Sequence, residues 1–82
     1  MVATEEIEKR IRKDIALFSD SIGKASAVQL SGDELRIVDL ARMYAKDSEA
    51  WLAKGDMYTS FSSIAYAHGL LDSILKLKHA IE

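Results

Sequence analysis

The stretch WLAKGDMYTSFSSIAYAHGLLD, residues 51–72, decides how the rest of the chain is read. Two apolar-periodic segments meet in it at Lys54-Gly55-Asp56. Glycine enters the left-handed position past a helix end that residues with side chains resist. An aspartate placed next can accept backbone N–H bonds from the first turn of a new helix. The spacing therefore predicts an elbow, with one helix closing at Lys54 and another opening at Met57. A phosphate-binding loop would need several glycines and a Lys-Ser/Thr pair, and a dinucleotide fingerprint would need a preceding strand. Neither accompanies Gly55-Asp56, and the Asp56 carboxylate would repel an anion drawn to the helix start.

Downstream of the elbow, Met57, Phe61, Ile64, His68, Leu71 and Leu75 recur every three or four residues along one face. Tyr58, Ala65, Leu70, Ile74, Leu77 and Ile81 widen it. Apolar coverage this broad predicts a second buried face on the third helix. Ser60, Ser62, Ser63, Ala65, Ala67 and Gly69 predict close approach to the second helix, and Trp51 and Tyr58 are expected to plug the open end of that hairpin. Upstream, LSGDEL at 30–35 places Ser31 at an N-cap and Glu34 three positions into the helix, a capping box, with Leu30 and Leu35 as a hydrophobic staple. From there Leu35, Val38, Ala41, Ala45, Ser48 and Leu52 trace one face, widened by Ile37, Tyr44 and Trp51. The first helix is expected over Thr4–Ile22, capped by Thr4, striped by Ile7, Ile11, Ile15, Phe18 and Ile22, and stopped at Gly23. Residues 23–30 then form a link whose Val28 and Leu30 fold back onto the bundle. The architecture predicted for residues 1–82 is one all-α domain, an antiparallel three-helix up-and-down bundle. Its second and third helices are expected to be long, and longer than the first.

Composition narrows the function classes. The chain has 82 residues, no proline and no cysteine. The missing cysteine excludes disulfides, thiolate chemistry and Cys-based metal sites, and fits a reducing cytoplasm. No apolar run approaches the ~18 residues of a membrane span. The opening MVATEEIEKRIRK has no long apolar core and does not read as a signal peptide. Eleven basic and thirteen acidic side chains leave a net charge of −2. The basic cluster Lys9, Arg10, Arg12 and Lys13, with Arg36, Arg42 and Lys46, is interleaved with acids. It reads as a solvated face with i,i+4 ion pairs before it reads as a nucleic-acid surface.

Candidate chemistry is sparse. His68 and Asp72 stand one helical turn apart and form the single candidate binding pair. With Asp14, Asp39 or Asp47 from neighbouring helices they suggest a small metal cage, but no zinc or di-iron spacing is present. A partly buried histidine bonded to Asp72, or to Tyr44 or Ser48 across the hairpin, is the preferred reading. Ser60, Ser62 and Ser63 lie mid-helix, with no strained elbow to expose a nucleophile. No catalytic residue, metal ligand or cofactor is assigned.

Residues 41–74, ARMYAKDSEAWLAKGDMYTSFSSIAYAHGLLDSI, carry a family resemblance. Tyr44, Asp47, Trp51, the Gly55-Asp56 turn and the residues Tyr66, Ala67, Gly69, Leu70, Leu71 and Asp72 of a Y-A-x-G-L-L-D pattern resemble a small archaeal domain of unknown function, DUF357. Ser48 and Ser60 stand where that family commonly has alanine. The resemblance implies a helical bundle found alone or attached to other domains, nucleotidyltransferase-like ones among them, and it transfers no catalytic residue. A fainter likeness to tetratricopeptide helices supports only tight helix–helix packing. The function expected is a non-catalytic protein-interaction or adaptor module. Its alternative is an accessory domain to a nucleotide- or nucleic-acid-handling enzyme. The small core and the apolar third helix point to a homodimer, or to another protein, docked through that helix.

Overall fold

The computed structural model describes residues 2–81. Three helices run α1 (Val2–Ser26), α2 (Gly32–Ala53) and α3 (Met57–Leu77). They form an antiparallel up-and-down bundle, 44 × 21 × 15 Å. α3 packs most extensively against α2 and then against α1, while α1 and α2 share the smallest interface. The third helix is thus the spine on which the other two lie.

Local chemistry sets each boundary. Ser31 accepts from the Glu34 amide at 3.1 Å, and the Glu34 carboxylate accepts from the Ser31 amide at 2.8 Å, the expected capping box. At the elbow Gly55 has φ 83°. The Gly55 amide donates to the Leu52 carbonyl and the Asp56 amide to the Trp51 carbonyl, both at 3.0 Å. That double closure is a Schellman motif, which needs a left-handed residue at its centre. Asp56 then caps α3, accepting from the Thr59 amide at 3.0 Å and the Thr59 hydroxyl at 2.7 Å.

The far end of α3 repeats the device without glycine. The His79 amide reaches the Lys76 carbonyl at 3.0 Å and the Ala80 amide reaches the Leu75 carbonyl at 2.8 Å. His79 sits at φ 58°, a conformation costing an L-residue ~1–2 kcal/mol. His79→Gly should therefore raise the unfolding free energy by about 1 kcal/mol, and Gly55→Ala should lower it by a similar amount. Urea midpoints moving in opposite directions for the two variants would verify both turns.

Two expectations need correction. α1 is the longest helix, with 25 residues against 22 and 21 for α2 and α3. It does not begin at a Thr4 cap, since Thr4 is already helical, and Gly23 does not end it. The burial of Ala25 in the core carries the helix one turn further, outweighing the modest cost of a helical glycine. Nor do Trp51 and Tyr58 plug the hairpin. Trp51 is 37% exposed and Tyr58 85%, and the Trp51 ring lies under the Lys54 ammonium at 4.7 Å.

The main core cluster is Phe18, Ala25, Val38, Ala41, Ile64, Ala67, Leu71, Ile74 and Leu75, with Leu30 folded onto it as expected from the link, and Ile11 and Leu52 are buried beside it. Each large aliphatic side chain buried there contributes ~1.5–3 kcal/mol. Between α2 and α3, Ser48 and Ser60 are fully buried. The Ser48 hydroxyl donates to the Ser60 carbonyl at 2.8 Å and the Ser60 hydroxyl to the Ser48 carbonyl at 2.7 Å. Both polar groups are satisfied inside the buried seam.

Candidate functional site

The His68/Asp72 pair lies on the flank of α3 that faces α1. Both residues are half-buried. The His68 Nε2 is 2.7 Å from the Asp14 backbone carbonyl. A carbonyl only accepts, so this nitrogen carries the proton. The imidazole also stands edge-on to Phe18, with ring centroids 5.7 Å apart and planes at 88°. The bond therefore crosses to α1 rather than running to Asp72, Tyr44 or Ser48. The physical reason is local: the imidazole reaches a fixed carbonyl on a packed neighbour, whereas Ser48 is already engaged with Ser60.

The carboxylates considered for a cage are dispersed. Asp14 lies 3.4 Å from Arg10, and Asp39 lies 3.1 Å from Arg42. Among the described residues no three His, Asp or Glu side chains converge on a common metal position. What His68 does here is fasten α1 to α3.

Two other carboxylates are electrostatically tuned. Glu34 is held below its ordinary value, first by the Lys78 ammonium and then by the Ser31 amide. Its oxygen lies 2.7 Å from Lys78 Nζ, so the start of α2 is tied to the end of α3. Asp56 is lowered by the Thr59 amide and then by the Thr59 hydroxyl. Lowered carboxyls stabilise the fold fully above their unfolded values and lose that contribution as pH falls through the folded ones. Urea midpoints should therefore fall below the ordinary carboxyl range, near 4.5 for Glu34 and 3.8 for Asp56. At neutral pH Asp56→Asn should keep most of the wild-type midpoint while Asp56→Ala does not, because asparagine still caps. Equal midpoints for all three chains would remove the cap from the account.

The surface feature that stands apart is the outward side of α3. Nine of its positions are exposed, and Lys76 is the one charged residue among them. Tyr58 is 85% exposed, Leu77 64%, Tyr66 52% and Phe61 41%. At its N-terminal end Tyr58 and Phe61 join Met57, Ile7, Glu6 and Arg10 around an apolar cleft of about 700 Å³ between α1 and α3. Tyr66 packs edge-on to Tyr44 of α2, with centroids 4.7 Å apart. Helix periodicity signalled this face, since α3 was expected to bury two sides, but it was absent from the candidate site, which followed titratable residues instead. α1 and α2 also expose large apolar side chains, Leu17, Leu35, Leu40 and Met43 among them, but interleave them with Lys9, Arg12, Lys13, Asp39, Lys46, Asp47 and Glu49 at exposed positions. Their arginines are occupied, Arg12 with Glu8, Arg36 with Asp33 and Arg42 with Asp39. Among the described residues, no helix is long and apolar enough to cross a membrane.

No curated protein matches the chain. One family model, described as a protein of unknown function (DUF357), matches residues 13–79, which include the capping box, the Gly55-Asp56 elbow, the Ser48–Ser60 seam and all but the first turns of α1. The chain belongs to the DUF357 family.

Proposed function

We propose that this chain is a non-catalytic helical interaction module that docks through the outward side of α3. One observation carries the reading: of the nine exposed positions on α3, Lys76 is the one that carries a charge. An exposed helix side of that composition is costly in water and stable when covered by a partner. The arginines supply a contrast, because guanidinium groups held by carboxylates one turn away are poorly placed to track a phosphate backbone. A cytoplasmic setting, which rests on the cysteine-free sequence, and an archaeal source, which rests on the resemblance, belong to the same proposal.

The test is capture from a native cell extract with the wild-type chain and with Ser62→Arg, each with and without nuclease. Ser62 is exposed on the outward side, so the arginine charges the surface without entering the core. Proteins retained through nuclease treatment and lost with Ser62→Arg support docking through α3. Retention that nuclease abolishes supports the accessory role beside a nucleic-acid enzyme instead. Reproducible turnover by the isolated chain on a nucleotide or ester panel would overturn the non-catalytic reading.

A further inference from the structure

We draw no further inference here: the strongest candidate, the apolar cleft of about 700 Å³ between the first turns of α1 and α3, carries nothing, because its one cation, Arg10, shares the lining with Glu6 and lies 3.4 Å from Asp14, and nothing in the structure shows what covers it.

Discussion

Leu71→Ala should lower the unfolding free energy by ~2–5 kcal/mol. Leu71 has no solvent exposure and sits in the cluster with Phe18, Val38, Ile64, Ile74 and Leu75. Truncation removes three carbons from the junction of all three helices, and rigid neighbours on three sides cannot all close the gap. A chain of this size has a total stability of ~4–12 kcal/mol, at 0.05–0.15 kcal/mol per residue. The loss is therefore a large fraction of the whole, and where the total lies near the low end of that range Leu71→Ala is substantially unfolded at room temperature. Urea denaturation followed by far-UV circular dichroism measures it. A loss below about 1 kcal/mol would show that the helices relax into the space, contrary to a core fixed from three directions.

Ser48→Leu is the second large effect, at ~2–4 kcal/mol. The serine is fully buried between α2 and α3, with its hydroxyl donating to the Ser60 backbone carbonyl. Leucine removes that bond and inserts carbons where neighbouring backbone leaves little room. Ser48→Ala isolates the first term and should cost only ~1 kcal/mol. The Ser60 hydroxyl keeps its own acceptor in that variant, the Ser48 carbonyl. A ratio near one between the two substitutions would mean that the seam is not sterically closed. Destabilisation by leucine well beyond that of alanine identifies close packing, rather than hydrogen bonding, as what excludes larger residues.

The elements that could be read in the chain share a property: their determinants are local. The Ser31/Glu34 box and the Gly55-Asp56 elbow are each settled by atoms within a few residues, so spacing alone revealed them. The fold class followed from the apolar periodicity of all three segments. The end of α1 was misplaced because it is decided at a distance. Gly23 is a plausible stop until Ala25 is seen buried against another helix, and no local pattern reveals that burial. The plug assigned to Trp51 and Tyr58 failed for a related reason, since proximity to a turn does not tell which side of the helix an aromatic occupies. His68 was correctly read as partly buried, yet its acceptor is a main-chain carbonyl 54 residues away. Every residue has such a carbonyl, so side-chain chemistry in the sequence could not single out Asp14. The outward side of α3 was legible as excess apolar coverage, but its near absence of charge at exposed positions emerged only once burial was known.

The unequal sharing of interfaces has a kinetic consequence. α2 and α3 are joined by a three-residue elbow and hold each other along their length, so they close as a hairpin from contacts near in sequence, which form quickly. α1 must then lie down on α3, with little help from α2. Amide protons in the outer turns of α1 should consequently exchange with solvent deuterium ahead of those in α3, through an opening that releases one helix while the other two stay paired. That partly open form bares the inner flank of α3, including Ile64 and Leu71. For this chain, resistance to proteases and to self-adhesion is governed by how firmly the first helix is held down, and the His68–Asp14 bond is one of the clasps that hold it.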